Sequence, residues 1–385
     1  MKKKYCFILI LLIWAFQLPV SAYAQDSSGI KISLLTCSPG AELYSTFGHS
    51  AFRITDSIQG TDIVYNYGTF NFGEDGFYLK FMRGKLLYYV NPENYSDFVM
   101  GYMAENRSIT EQVLKLSVAA KKRVQAFVSN NSQEANKYYK YDFFLDNCTT
   151  RLRDIMEKED STAIFTKPIM PAGTRFRFAI HSYLDKNQKD WSKLGIDILL
   201  GLPCDARMTP QQMQFLPDNL MNCLDSNGHS LLASKQSIFT AAENPKETNV
   251  FSPLFFFSLL LIVVVAISLF QNKWAMAFTI GIDGVLFFLT GLLGLLLILM
   301  WVGTDHSMCK NNLNLLWALP TQLMGAFLLG SNKKWVKLLF RWTALLLIAV
   351  LASWYFLPQQ LNTALIPFVA LLAYRNYSRS TSKSS

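Results

Sequence analysis

Apolar residues are distributed unevenly along the chain, and their pattern divides it into two parts. From residue 25 to about 248, apolar and polar positions mix in short alternating runs and in helical repeats, as in a globular domain. Five apolar segments follow a polar stretch at 241–249. These segments are 252–270, 275–302, 313–330, 336–356 and 361–374. Most approach the ~20 residues that cross the hydrocarbon core of a bilayer, although the last is short. The pattern predicts a globular domain followed by an all-α transmembrane bundle of about five helices.

Alternation within the globular part predicts a small antiparallel sheet. Strand-like runs occur in "IKISLLT", "HSAFRIT", "DIVYNYG" and "KLLYYV", and "DSIQG" between the second and third indicates a hairpin. Helical periodicity is found in "FYLKFMRG", "NYSDFVMGYMAEN" and "SVAAKKRVQAFVSNN", and in most of 172–225. Asn147 is placed to cap a helix that begins at Cys148 and ends near Glu157. The mixture predicts an α+β domain.

The first residues of the chain predict export from the cytoplasm. A basic start, an apolar stretch and the small residues "AYA" are typical of a secretory signal peptide that is cleaved after Ala24. An uncleaved first membrane helix is the alternative. The predicted organisation is a signal peptide, a globular domain, a transmembrane domain and a short cytoplasmic tail, at 1–24, 25–248, 249–375 and 376–385.

Charge gives the predicted bundle an orientation. The formal net charge is +9, and only 16% of residues are charged, which is low for a soluble protein. Lysines and arginines follow the first, third and fifth apolar segments, which places those loops in the cytoplasm. Residues 25–248 and the loop 303–312 are then external. No basic stripe interleaved with aromatic residues is present, so a nucleic-acid partner is not expected. Asp283, inside the second apolar segment, is expected to pair with Arg341.

The cysteines suit an oxidising compartment. Five remain after the predicted cleavage, and an odd number in an exported protein leaves at least one free thiol. Cys204 and Cys223 flank a predicted helix, and a structural disulfide between them is predicted. The alternative is two buried free cysteines.

Cys148 and His49 are the candidates for catalysis. A thiol becomes a nucleophile as its thiolate, and both a helix N-terminus and a neighbouring imidazolium lower its pKa. Cys148 lies at the predicted start of a helix, whose N–H groups are also candidates to stabilise an oxyanion, and His49 begins a strand. On spacing alone, two unrelated core residues remain the commoner outcome. No pair of histidines has metal-ligand spacing and no serine lies in a G-x-S-x-G turn, so no metal or other cofactor is expected.

Several long motifs resemble a known family. The segments "LYSTFGHSAFRI", "YNYGTFNF", "FYLKFMRGKLLYYV" and "FFLDNCTTRLRDI" resemble the periplasmic domain of Lnb-type lipoprotein N-acyltransferases. "WVGTDHSMCKNNLNLLWALP" resembles the membrane portion of their Bacteroidetes-type members. The resemblance implies a papain-like, circularly permuted NlpC/P60-like fold in an inner-membrane protein. It also implies transfer of an acyl chain from a phospholipid to the N-terminal cysteine of a diacylated apolipoprotein. Cys148 is then the nucleophile and His49 the base, and we predict Asn66 as the third residue, with Asp62 behind it.

Four further residues are weaker candidates for contacts with substrate at the membrane entrance: Arg83, Lys85, Asp305 and His306. Two other functions remain open at this stage. The same fold family contains peptidases and amidases of peptidoglycan, although the chain carries no wall-binding repeat and five spans serve no purpose in such an enzyme. A non-catalytic membrane scaffold is the other alternative, and the presence of both Cys148 and His49 counts against it.

Overall fold

The computed structural model describes residues 28–159, 164–226, 231–242, 251–270 and 272–382. The predicted signal peptide and most of the predicted linker lie outside these residues, so the structure does not test them.

A seven-stranded antiparallel sheet forms the centre of the N-terminal domain. The strands are β1 Ile30–Cys37, β2 His49–Asp56, β3 Thr61–Thr69, β4 Leu87–Asn94, β5 Ile109–Leu114, β6 Tyr138–Lys140 and β7 Leu232–Phe239. Their order in the sheet is β6-β4-β3-β2-β1-β5-β7. The alternating runs predicted β1 to β4 and their antiparallel hairpin, and these are confirmed. Strands β5 and β7, which extend the other side of the sheet, were not predicted.

Helices cover both faces of this sheet. The helices of the domain are α1 Phe77–Met82, α2 Tyr95–Ala104, α3 Val118–Asn131, α4 Cys148–Glu159, α5 Phe176–Lys186, α6 Asp190–Leu199 and α7 Pro217–Ser226. On one face, Phe52 and Ile54 of β2 join a core with Val124 of α3 and Leu152 of α4. On the other face, residues of β1, β2 and β3 pack against Phe98 of α2. Strand β2 is therefore buried from both sides, which holds its first residue, His49, in a fixed position.

The C-terminal region is helical, but it differs from five uniform spans. Its helices are α8 Pro253–Ser268, α9 Lys273–Val302, α10 Thr321–Phe327, α11 Lys334–Ser353 and α12 Ile366–Thr381. By length and composition, α9 and α11 are able to cross a membrane, and α8 is a shorter apolar helix. The predicted count of five spans is therefore not confirmed.

The predicted third span, 313–330, is broken. A 3-10 turn at Leu313–Leu316 precedes Pro320, which caps the short helix α10. Proline has no N–H and disfavours a helical conformation in the residue before it, so one continuous helix cannot run through this point. The broken segment lies against Gly291 and Gly294 of α9, where a Cβ atom would collide with its backbone. Small residues thus allow the two backbones to approach closely.

Asp283 does not pair with Arg341, and that prediction is wrong. Its side chain is fully buried in α9 and accepts hydrogen bonds from Arg375 at 2.7 and 3.0 Å, and a further one from Arg379. Both arginines belong to α12, which continues to Thr381, beyond the apolar segment that predicted it. The two arginines are therefore held inside the helical bundle by a buried carboxylate.

The two regions of the chain are packed together through helices α5 and α6. Met300 and Met308 from the C-terminal region share a core with Phe144, Phe176 and Leu200. Polar contacts cross the same interface, with distances of 2.8 Å from Gly201 N to Met308 O, from Asn312 Nδ2 to Ile198 O and from Asn362 Nδ2 to Asp197 Oδ2. The loop 303–312 is therefore part of a packed interface.

The predicted disulfide between Cys204 and Cys223 is not formed. Both side chains are fully buried, but Cys204 packs in the core shared with the C-terminal region and Cys223 in the core between the sheet and α4. Cys204 lies in the turn Leu202–Asp205 and Cys223 lies within α7, each in a different core, so this prediction is wrong.

Candidate active site

Cys148 is the first residue of α4, and the residue before it caps the helix. The Oδ1 atom of Asn147 accepts hydrogen bonds from the N–H groups of Thr149 and Thr150 at 2.8 and 2.9 Å. The amide of Asn147 donates in turn to the carbonyl oxygens of Phe143 and Phe215. The cap is therefore itself fixed, and the predicted helix start is confirmed. The cap also occupies two of the N–H groups that were candidates for stabilising an oxyanion.

Glycine in β3 allows the nucleophile to approach the sheet. The register between β3 and β4 shifts between Asn66 and Thr69, and Gly68 has a φ of +89° within this bulge. A Cβ atom at Gly68 would lie 3.6 Å from the Cβ atom of Cys148. Residues other than glycine rarely adopt this backbone conformation. The bulge brings β3 into contact with the start of α4, beside His49 of the neighbouring strand.

His49 connects Cys148 to a chain of polar side chains on the sheet. The Nε2 atom of His49 lies 3.1 Å from Oδ1 of Asn66, and the amide of Asn66 donates to the carboxylate of Glu93 in β4. The imidazole also lies close enough to Cys148 to interact with its thiol. Since Nε2 is engaged by Asn66, Nδ1 is the nitrogen left for the thiol. Asn66 thereby fixes both the orientation and the tautomer of the ring.

The surroundings of the pair shift both pKa values in the direction of a thiolate and an imidazolium. Burial alone would raise the pKa of Cys148, but the charge of His49 and hydrogen bonds from His49, the backbone of Ser50 and Thr149 outweigh it, and the pKa is lowered. Burial alone would lower the pKa of His49, but the thiolate and the hydrogen bonds to Cys148 and Asn66 raise it. Opposite charges at short range stabilise each other in this way.

Asp62 does not lie behind Asn66, so this part of the prediction is wrong. Its carboxylate instead pairs with Arg53 across the β2–β3 hairpin, with an N–O distance of 2.7 Å. Glu93 occupies the role that was expected of Asp62. Burial raises the pKa of Glu93, against the hydrogen bond from Asn66 and the charge of His49, which both lower it.

The Cys148–His49–Asn66 group opens into a cavity of about 670 Å³. Side chains and backbone from both regions of the chain line it. Its apolar walls include Phe47, Phe70, Phe81, Tyr88, Phe143, Phe144, Ile180, Ile196, Leu200 and Met308. A cavity of this size and character suits an apolar ligand larger than a few atoms.

The four weaker candidates meet at one rim of the cavity. Asp305 and His306 line it, and Arg83 lies next to Asp305, whose N–H donates to the Arg83 carbonyl at 3.0 Å. The hydrogen bond and charge of Lys140, with smaller contributions from Lys85 and Arg83, hold the pKa of Asp305 below its usual range. More than 200 positions of sequence separate Arg83 and Lys85 from Asp305 and His306, and the fold brings the two pairs together.

Among the described residues, no three His, Cys, Asp or Glu side chains are grouped so as to hold a metal ion. Among the groups around the cavity, the arrangement suits nucleophilic attack by the Cys148 thiolate, with His49 able to hold a proton and Asn66 to orient it.

Comparison with known families covers most of the chain. The family model described as the Lnb N-terminal periplasmic domain matches residues 22–175, which contain Cys148, His49 and Asn66. The model described as the Lnb transmembrane domain matches residues 245–384. No curated protein and no solved structure matches the chain. With both family models matching in order, the chain belongs to the Lnb family, as a membrane protein with a periplasmic domain followed by a transmembrane domain.

Proposed function

We propose that this protein is a membrane-bound thiol acyltransferase that N-acylates the N-terminal diacylglyceryl-cysteine of lipoproteins. The observation that carries the proposal is the position of the buried Cys148–His49 pair in a mainly apolar cavity, one wall of which comes from the transmembrane domain. Membership of the Lnb family is consistent with an enzyme. A helix-start cysteine beside a strand that carries the histidine resembles the papain-like arrangement, here with the histidine first in the chain.

The first half of the reaction loads the enzyme. The Cys148 thiolate attacks the carbonyl carbon of a phospholipid ester, and the C–O bond to the glycerol breaks. His49, held as the imidazolium, gives its proton to the departing alkoxide, which leaves as the lysophospholipid alcohol. The acyl chain remains on Cys148 as a thioester, within the apolar cavity.

The second half of the reaction transfers the acyl chain. The neutral α-amino group of the lipoprotein cysteine attacks the thioester carbon, and neutral His49 takes a proton from the amine. The C–S bond breaks, the amide is formed, and Cys148 returns to the thiolate beside the imidazolium. Division into two steps means that the donor and the acceptor do not have to be bound together.

The transmembrane domain explains how two lipid substrates reach one site. Both the phospholipid and the lipid-anchored acceptor lie in the bilayer, and a tethered site raises their effective concentration. We place the protein in the inner membrane, with the rim that carries Arg83, Lys85, Asp305 and His306 at the membrane entrance. A soluble peptidoglycan peptidase or amidase needs neither an apolar cavity nor a wall contributed by membrane helices, and a non-catalytic scaffold needs no thiolate.

The experiment is detection of the acyl-enzyme, with full-length protein in phospholipid vesicles. Incubation with phospholipid alone should give a hydroxylamine-sensitive acyl mass on the peptide that contains Cys148. Cys148→Ala should abolish both the adduct and transfer to a diacylated lipopeptide, and Cys148→Ser should reduce them nearly as far. Cys223→Ala, which removes another buried thiol that does not line the cavity, serves as the matched control and should retain both. Full transfer by Cys148→Ala protein would refute the proposal.

A further inference from the structure

An unusual apolar surface lies on the segment between β3 and β4. Helix α1 buries only Phe77, while its other large side chains face outward. Tyr78 is 79% exposed and Leu79 is 55% exposed, and Phe72 just before the helix is 62% exposed. We call Phe72, Tyr78, Leu79, Phe81 and Met82 the aromatic lip. Contiguous exposed apolar side chains of this kind mark an interaction surface.

The lip is rigidly supported from beneath. The ring of Phe77 packs against Phe70, Phe72 and Phe81, with centroid distances of 5.9, 5.0 and 6.2 Å. Phe70 and Phe81 in turn line the active-site cavity. The outer surface of the lip is therefore continuous with the inner wall of the cavity.

Contacts with the external loop fix the lip near the end of a membrane helix. The N–H of Asp305 donates to the Arg83 carbonyl, and Nε2 of His306 lies 3.0 Å from the Phe81 carbonyl. Gly84, with a φ of +67°, packs against both loop residues. Asp305 follows the last residue of α9 closely, and the 30 residues of α9 extend about 45 Å. A bilayer with its headgroups is about 40–45 Å thick, so the lip lies at the level of the external headgroups.

The charged residues beside the lip also favour a position at the level of the lipid headgroups. Arg83 and Lys85 are exposed immediately beside its apolar side chains. Aromatic side chains concentrate at the boundary between headgroups and acyl chains, while neighbouring cations interact with lipid phosphates. Lys80, on the same short helix as Tyr78, already forms an ion pair with Glu74 at 2.5 Å. Arg83 and Lys85 are thus the cations available to phosphate at this surface.

We propose that the aromatic lip inserts into the external leaflet and forms the portal through which an acyl chain passes from the bilayer to Cys148. The occupant of this surface is the lipid leaflet, and not a second protein. Membrane insertion stands on the lip and its contacts alone, whereas the portal role rests on the acyltransferase function proposed above.

Site-specific photocrosslinking tests the insertion. Full-length protein carrying benzoylphenylalanine in place of Tyr78 is reconstituted in phosphatidylglycerol–phosphatidylethanolamine vesicles, irradiated, and analysed by mass spectrometry. The matched control places the same group at Ile58, which is 74% exposed in the β2–β3 turn, at the opposite end of β2 from His49. Phospholipid adducts are expected at position 78 and not at 58. Equal adducts at both positions, or a protein adduct at 78 in native membranes, would overturn the proposal.

A double variant tests the portal separately. In Tyr78→Asp, Leu79→Asp protein, acyl-enzyme formation from vesicle phospholipid should fall by about tenfold or more, because aspartate opposes insertion at the interface. Alkylation of Cys148 by water-soluble iodoacetamide should keep its wild-type rate, which shows that the chemistry is intact. An unchanged acylation rate would overturn the portal. Absence of any acyl adduct in wild-type protein would instead count against the proposed function, and the crosslinking result would still decide whether the lip inserts.

Discussion

The hydrogen-bonded chain from His49 to Glu93 predicts an ordered series of rate losses. Asn66→Ala removes the acceptor that lies 3.1 Å from His49 Nε2. A hydrogen bond to a charged group contributes about 1.5–3 kcal/mol, and each ~1.4 kcal/mol corresponds to tenfold in rate. Acyl-enzyme formation should therefore slow by about 10- to 150-fold, provided that the imidazolium is the form that protonates the departing alkoxide.

Glu93→Gln is a milder change. It keeps an acceptor for the Asn66 amide but removes the charge, and charge-assisted hydrogen bonds are roughly twice as strong as neutral ones. The expected loss is about 3- to 10-fold. His49→Ala removes the proton donor itself and should cost about 100- to 10,000-fold.

Asp62→Asn is the matched control, because Asp62 lies on the same strand as Asn66 but pairs with Arg53. Its rate should stay within about twofold of wild type, as exposed or half-exposed ion pairs contribute little. The assay is the time course of the acyl mass on the Cys148 peptide, with protein in vesicles of fixed composition. A loss in Asp62→Asn that equals or exceeds the loss in Glu93→Gln would refute the reasoning.

Three further predictions concern the site and its support. Alkylation of wild-type Cys148 should persist below the ordinary pKa of a thiol, because His49 lowers the pKa of Cys148. In His49→Ala protein this effect is lost while burial still raises the pKa, so the curve of alkylation rate against pH should move to higher pH. Overlapping curves for the two proteins would contradict this. Asp283→Asn should lower the free energy of unfolding, measured by thermal denaturation in detergent, by about 3–5 kcal/mol, because buried Arg375 and partly buried Arg379 lose their carboxylate, whereas Arg341→Gln should have little effect. Gly201→Ala, whose Cβ would collide with the backbone of the external loop, should destabilise the protein by about 1–3 kcal/mol, measured in the same assay.

Local features of the site were predictable from the sequence. The Asn147 cap and the helix that begins at Cys148 depend on residues within four positions of each other, and they are where the sequence places them. The position of Asn66 near His49 was predictable from the hairpin, because β2 and β3 are adjacent in the chain and in the sheet. Its Oδ1 atom lies 3.1 Å from Nε2 of His49, and its role as the third catalytic residue stays a prediction.

Side-chain contacts between elements that are far apart in the sequence were not predictable. Glu93 reaches Asn66 because β4 pairs with β3 so that Asn66 faces Asn91, which leaves Glu93 diagonal to Asn66 on the same face. Nothing between residues 66 and 93 determines that register at the level of sequence. Asp62 seemed closer, but the β2–β3 register directs it to Arg53. The same limit applies to Asp283, whose partners depend on which helices are neighbours in the bundle.

The join between the two domains bears on the chemistry of the site. The loop 303–312 supplies Asp305, His306 and Met308 to the cavity, and it is held there by the hydrogen bond from Gly201 and by the core around Leu200. A thiol domain without this loop would keep Cys148 and His49 but would lose one wall of the cavity. Water entering from that side would weaken the attraction between thiolate and imidazolium and would also compete with the amine for a thioester. For the acyltransferase proposed above, the transmembrane domain would therefore serve both as the route to lipid substrates and as part of the enclosure that favours transfer to an amine over hydrolysis.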